Sequence, residues 1–596
     1  MIDSVRATFL AVVAALLLLV SLVTACSQNN GPDEPATVAQ KFADALNNDD
    51  AIAAAALTSD PSAARAALSQ MYEGLGKEVQ FSVADTADDS VTFDVVWKLG
   101  ENERGWKYST DAKAADTDEG WRIEWNPLVL APFEGGKTGD LRFVPTFPEP
   151  AKVLDRANRE LLTQQAVTLV NVDSTADLAA VAGLLAAPAP GVTAESLRAD
   201  VDAAQGQPVT AVTLREQDIN PIADALGAIP GVTLVRQARL LTTDRALSSP
   251  TFAGVTEQWQ EANAAAQGWE VMSQAPDGST TRLVGEDAKP TPDISTTLDM
   301  DFQLAAEAAL APVQTPAAIV AIKPSTGGVL AVAQNAQADG QGPIALTGLY
   351  PPGSTFKTVT TAAALQAGGV TPDTVLPCPA SANIEGRTIP NDENFDLGQV
   401  PLHVAFARSC NTTMGKLAAE LPPDALTNAA AQLGLGIDYV TPGLTMVTGN
   451  VPEADSAAQR VESGIGQGNV TASPYGMALV AASIANSGVR PPMLIEGQPG
   501  TGNRTANPLS ATIFDQVRTM MRETVTDGTA TVLRDIPDLR GKTGTAEHEG
   551  GPAHGWFIGI DGDVAFAVFV ADGDTSAPAL EAAGRFLRPV QALVPR

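Results

Sequence analysis

Ser354 and Lys357 stand three residues apart, directly after Pro351-Pro352-Gly353 and at the head of a helical run from Thr358 to Leu365. Prolines, glycine and serine before such a run mark a helix start. Residues three apart share a helix face, so the amine lies beside the hydroxyl, both in the positive field of the helix N-terminus. That pairing can activate a weakly acidic hydroxyl. A capping serine with an unrelated lysine gives the same tetrapeptide, which chance supplies roughly once in a chain of this length. The stretch gains meaning from two others. Ser409-Cys410-Asn411 closes a helix-like segment, residues 402–408, and Lys542-Thr543-Gly544-Thr545 precedes strand-like segments at 556–560 and 564–570 and a final helix at 580–587. A hairpin expected at 318–323 and 329–333 supplies the sheet on which the Ser354 helix packs.

With 596 residues, 44% of them hydrophobic, the chain has material for several cores and is expected to be multidomain α+β. Sixty-nine acidic residues against 37 basic ones give a net charge of −32. A surface so acidic excludes phosphate-backbone binding, and no nucleic-acid partner is expected. Arg6, the apolar run from Ala7 to Leu22 and the small residues before Cys26 read as an export signal. The pattern resembles a bacterial lipoprotein signal over residues 1–25, with Cys26 lipidated; an ordinary signal peptide or membrane anchor is the alternative. Downstream of it no apolar run is long enough to span a bilayer. Cys378 and Cys410 are the remaining cysteines; in an exported domain they either pair or stay as small buried apolar residues.

In chain order, residues 26–34 form a polar tether. Residues 35–147 follow as two amphipathic helices, the second with Ser62 as its N-cap, and several strands. Trp97, Trp106, Trp121 and Trp125 fall in this span and are assigned to its core. Helices followed by a curved sheet, together with the segment Gly120 to Pro127, resemble the NTF2-like extension of MecA-type penicillin-binding proteins. Residues 148–293 read as an elongated linker or dimerisation domain with one small α/β lobe, and Val153-Leu154-Asp155-Arg156 resembles the motif that opens the class B linker. A second Lys-Thr-Gly, Lys137 to Gly139, precedes the serine motif and has no strand pair after it, so it is assigned to a loop.

Taken together and in this order, S-x-x-K, S-x-N and K-T-G resemble the set shared by penicillin-binding proteins and class A β-lactamases. Asn394-Phe395, Gly464 to Gly468, Ile484 to Gly488, Gly528 to Ala530 and Gly555 to Gly559 extend the likeness over residues 294–596. No E-x-x-L-N deacylation motif follows Ser409, and no glycosyltransferase-like domain lies upstream, so the chain resembles a class B penicillin-binding protein. The resemblance implies a transpeptidase domain of β-lactamase-like α/β fold. It implies Ser354 as nucleophile, Lys357 as its base, Lys542 as the charge that keeps Lys357 neutral, Ser409 as proton relay and Asn411 as the group orienting Lys357. Thr543 and Thr545 would hold the substrate carboxylate beside Gly544, and the backbone N–H groups of Ser354 and Thr545 would form an oxyanion hole. The implied substrate is a D-Ala-D-Ala stem peptide, which β-lactams mimic, and the implied setting is a cell-wall synthesis complex on the outer face of the cytoplasmic membrane. A non-catalytic β-lactam sensor or assembly scaffold is the alternative. No cofactor is expected. No metal is expected either, because His548 has only Glu547 and Glu549 beside it in sequence, and adjacent positions point apart.

Overall fold

The computed structural model describes residues 34–100, 103–133 and 139–595. Cys26, Lys137 and Thr138 lie outside the described residues. Two compact units divide the chain: residues 1–148 with 266–290, and residues 149–265 with 291–596.

In the first unit, helix Pro35–Asn47 buries Val38, Phe42 and Leu46, a one-face repeat, against strands Val79–Ala87 and Ser90–Leu99. Trp97 and Trp106 are buried there, while Trp121 and Trp125 pack against the same core part-buried. The second long helix is Pro61–Leu75, and its N-cap is Asp60, whose side chain accepts from the Ala63 N–H. Ser62 is displaced from the expected capping role because Pro61 fits the first helical position, where no N–H is needed. The segment 266–290, expected within the linker, belongs to this unit. Its strand Gly268–Gln274 pairs antiparallel with Asp140–Thr146 and buries Trp269 and Val271 in the same core.

The second unit begins with a lobe in which the long strand Glu160–Val172 pairs with Val209–Arg215 on one side and Val232–Thr242 on the other. Val153 and Leu154 pair in parallel with Ile294 and Ser295. Next to them the fully buried Asp155 accepts from the backbone of Ala157 and Arg159 and from the Arg159 guanidinium, while Arg156 and Arg159 reach Asp299. This charge network fixes the N-cap of helix α1, Met300–Leu310, because Asp299 is that cap.

A five-stranded sheet follows: β1 Ala317–Lys323, β2 Gly328–Gln334, β3 Arg540–Ala546, β4 His554–Asp561 and β5 Val564–Val570, in spatial order β2-β1-β5-β4-β3. Both faces of the sheet are covered. Ala318, Val320 and Ile322 point into one core and Ala317, Ile319 and Ala321 into another, as the two-residue repeat of a strand requires. The first core holds helix α2, Lys357–Ala367, and a helix at Pro474–Asn486. The second holds α1 and the C-terminal helix Ala577–Val590. β3 is the edge strand, and the turn carrying Ser354 packs on it. Among the described residues no helix is long and apolar enough to cross a membrane.

Candidate functional site

Ser354 lies in a 3₁₀ turn, Gly353–Phe356, that runs straight into α2, so Lys357 is one turn further along the same face. Three contacts hold the turn. The Trp556 indole donates to the Pro351 carbonyl at 3.0 Å, Thr355 Oγ1 donates to the Pro352 carbonyl at 2.6 Å, and the Gly353 N–H donates to the Gly466 carbonyl at 3.0 Å. Gly466 has φ near +77°, and a Cβ there would stand 2.0 Å from the Gly353 oxygen, so glycine is obligatory at this crossing. Gly544 plays the same part on β3, where a Cβ would lie 3.0 Å from the Pro352 oxygen and 3.1 Å from the Thr355 nitrogen.

Lys357 is fully buried. Its Nζ lies 2.7 Å from the Ser409 carbonyl, 2.6 Å from Asn411 Oδ1 and 3.2 Å from Ser409 Oγ. Ser409 has φ near +64°, uncommon for a residue with a Cβ, and this turns its carbonyl and hydroxyl together toward the amine. Lys542, also fully buried, donates to Ser409 Oγ at 2.9 Å and to the Thr543 carbonyl at 3.0 Å, with its Nζ 5.8 Å from the centre of the Phe406 ring. Burial pushes Lys542 down to about 7. Burial first, and the Lys542 charge second, hold Lys357 well below the ordinary lysine value. A neutral amine has two N–H groups and one lone pair. The two short contacts, to the Ser409 carbonyl and Asn411 Oδ1, take the N–H groups. The lone pair is left for the Ser409 O–H, which in turn accepts from Lys542. That order, ammonium to hydroxyl to amine, is a path along which one proton can move.

The fold gathers the expected site residues: Ser354 on the 3₁₀ turn, Lys357 at the start of α2, Ser409 and Asn411 where the chain leaves residues 402–407 for the helix Asn411–Ala419, and Lys542, Thr543, Gly544 and Thr545 on β3. The Ser354 hydroxyl has no hydrogen-bond partner among the described residues. Thr545 is half-buried, whereas Thr543 is 4% exposed and its hydroxyl shares a 2.6 Å hydrogen bond with Thr529. Cys378 and Cys410 are joined by a disulfide, which ties strand Val375–Cys378 to the residue between Ser409 and Asn411.

Asn391 was not foreseen. It is 2% exposed, and its Oδ1 accepts from the backbone N–H groups of Asn411 and Thr412 at 2.8 and 3.2 Å. It thereby caps the helix Asn411–Ala419 from a distant loop. The Asn411 amide donates to the Pro390 carbonyl at 2.8 Å, which leaves Asn411 Oδ1 facing Lys357. A lone asparagine in a loop has no periodicity or motif to reveal it.

Two family models match the chain: "Penicillin binding protein transpeptidase domain" over residues 317–591 and "NTF2-like N-terminal transpeptidase domain" over 34–133. Residues 317–591 are thus similar to the transpeptidase domain of penicillin-binding proteins, and residues 34–133 to the NTF2-like domain that accompanies it. Among curated relatives, the peptidoglycan D,D-transpeptidase PbpA of Mycolicibacterium smegmatis is 35% identical over 319 residues, covering 43% of this chain and 62% of that protein. PbpA of Mycobacterium tuberculosis is 33% identical over 313 residues, with the same coverage. The match thus spans less than two thirds of the length of these relatives. A solved structure of Helicobacter pylori PBP2 in complex with MreC is similar in fold, with a TM-score of 0.58 at 18% identity over 76% of this chain and 99% of that one.

Proposed function

We propose that this chain is a class B penicillin-binding protein, a D,D-transpeptidase that cross-links peptidoglycan stem peptides through an acyl-enzyme on Ser354. The observation that carries the reading is the convergence of Lys357 Nζ and Lys542 Nζ on Ser409 Oγ, with Lys357 itself one helical turn from Ser354. Acyl transfer needs a nucleophile, a base and a path for the proton to the leaving group. Ser354 Oγ attacks the carbonyl of the penultimate D-alanine and gives its proton to the neutral Lys357, whose one lone pair turns from the long Ser409 contact to receive it. The peptide C–N bond breaks, and the terminal D-alanine leaves as an amine with the proton returned through Ser409. An amine of a second stem peptide then attacks the ester, and Ser354 regains its proton. The backbone N–H groups of Ser354 and Thr545 hold the oxyanion, and Thr543 and Thr545 receive the substrate carboxylate. The positive charge on Lys542 favours that carboxylate and opposes protonation of Lys357.

Residues 26–34 form the tether in this reading, with Cys26 carrying a lipid on the outer face of the membrane. Residues 35–147 act as a spacer, and the protein works within a cell-wall synthesis complex. The PbpA relatives support the activity, and the PBP2 complex with MreC supports the setting.

The test is covalent labelling with a fluorescent penicillin. Wild type is expected to carry one label and Ser354→Ala none; label retained by the variant places the nucleophile elsewhere. Incubation with a stem-peptide donor and an amine acceptor should then yield the cross-linked product and free D-alanine. Stable labelling without any turnover would favour the sensor or scaffold alternative.

A further inference from the structure

His548 and His554 lie together where the loop between β3 and β4 folds back, their rings stacked with 4.0 Å between centres and 13° between planes. Asp572, just beyond β5, completes the group. Its Oδ1 is 2.8 Å from His548 Nε2 and 3.9 Å from His554 Nδ1, and one ligand atom from each residue falls within 4.8 Å of the other two. Sequence neighbours gave His548 no partner, because its partners come from two other strands of the sheet.

Three observations go beyond proximity. His554 Nδ1 accepts the Asp572 backbone N–H at 3.2 Å, so this nitrogen is unprotonated, and a metal would take its one lone pair in place of that N–H. His554 is 7% exposed and is held edge-on by Tyr350 and Phe569, so packing fixes its direction. At Gly551, a Cβ would stand 3.0 Å from Asp572 Oδ1 and 3.1 Å from His548 Cε1. The loop closes over the two donors only because that position has no side chain.

We propose that His548, His554 and Asp572 form a three-ligand site for a divalent cation of the zinc type. Two imidazoles and one carboxylate suit zinc and similar borderline ions better than calcium or magnesium, which take oxygen ligands. Zinc bonds of about 2.0–2.1 Å place tetrahedral ligand atoms roughly 3.3 Å apart. The widest edge of the triangle, at most 4.8 Å, must therefore contract by no more than about 1.5 Å. The two anchored ligands sit at strand ends, and the third, His548, lies on the exposed loop that can make this adjustment. Three protein ligands leave a fourth position for water or for the Pro552 carbonyl, which already lies 2.8 Å from His548 Nε2. The same loop begins with Glu547, which accepts a hydrogen bond from Gln467, and it leaves β3 two residues after Thr545. A bound ion therefore ties the rim of the candidate active site to the end of β5.

The test is zinc binding to the untagged full chain after chelator treatment, measured by competition with a chromophoric zinc indicator. One zinc per chain is expected. His548→Ala and Asp572→Asn should each weaken binding by about tenfold or more, and Gly551→Ala should weaken it by crowding. Cobalt(II) added to the wild type should give the visible absorption of a four- or five-coordinate ion, and the His548→Ala variant should lose it. His548 is on the loop, so its variant should melt at the wild-type temperature without zinc, separating ligand loss from misfolding. Equal zinc uptake by the wild type and by the His548→Ala, Asp572→Asn double variant would overturn the proposal, as would the absence of stoichiometric binding.

Discussion

Lys357 and Lys542 both contact one hydroxyl oxygen, at 3.2 and 2.9 Å, so their amines are no more than about 6 Å apart. Two positive charges that close repel, and the buried surroundings screen them less than water would. Burial disfavours either charge, so the pair keeps a single proton on the amine with the better surroundings. Lys542 has those surroundings, with the face of Phe406 beside it. The sign of the pH dependence follows. Acylation by a β-lactam needs neutral Lys357, so its rate rises as pH rises through the titration of that amine and falls as acid restores the proton. Replacing Lys542 by alanine removes the charge that adds to burial in holding Lys357 down, and the acid limb of the acylation profile should then move to higher pH. Rates of acylation by a chromogenic β-lactam, followed across pH for both proteins, test this independently of the loss in overall rate. A limb that stays in place or moves toward acid would show that Lys542 does not control the base.

Asn391 acts at the level of an element, since it supplies the cap of the helix Asn411–Ala419. Losing a cap costs about 1 kcal/mol, and here the first residue of the helix is also the Asn411 that faces Lys357. Asn391→Ala is therefore expected to lower stability by about 1–2 kcal/mol in denaturant unfolding. It should also slow acylation more than such a modest loss explains. Unchanged acylation would make Asn391 a structural cap only. The contrast with the motif residues explains what was legible. Ser354 and Lys357 must stand three apart to share a face, and Lys542 to Thr545 must lie on an edge strand next to them, so chemistry constrains residue type and spacing together. The alternating cores of β1 and β5 were readable for a similar reason, since a sheet covered on both faces needs apolar residues at every position. Asn391 makes its contacts across loops, where spacing follows no period. The same holds for the pairing of Asp140–Thr146 with Gly268–Gln274: neither is among the expected strands, and nothing local names the partner of a strand so distant in sequence.

At the scale of the whole molecule, that distant pairing decides how the chain can be divided. Its first unit is built from two separated segments, so removing residues 35–147 alone leaves the hairpin at 268–286 without the strand it pairs with and without the core that buries Trp269 and Val271. An exposed strand edge with a tryptophan and a valine on its inner face is an aggregation site. The ends of the inserted segment lie close together, since the Lys289 N–H donates to the Ala266 carbonyl at 2.8 Å. A short glycine-serine linker can therefore replace residues 266–290 without pulling on the lobe or on β1. Two variants separate the contributions. Deletion of 35–147 alone should give mostly aggregated protein on size-exclusion chromatography. Deletion of 35–147 together with replacement of 266–290 should give a soluble monomeric fragment that takes up fluorescent penicillin at the wild-type rate, because the site residues on α2, on the Ser409 turn and on β3 all belong to the second unit. A folded double variant that no longer acylates would show that the first unit does more than act as a spacer. A soluble, fully active single deletion would show that the hairpin is stable without its partner strand.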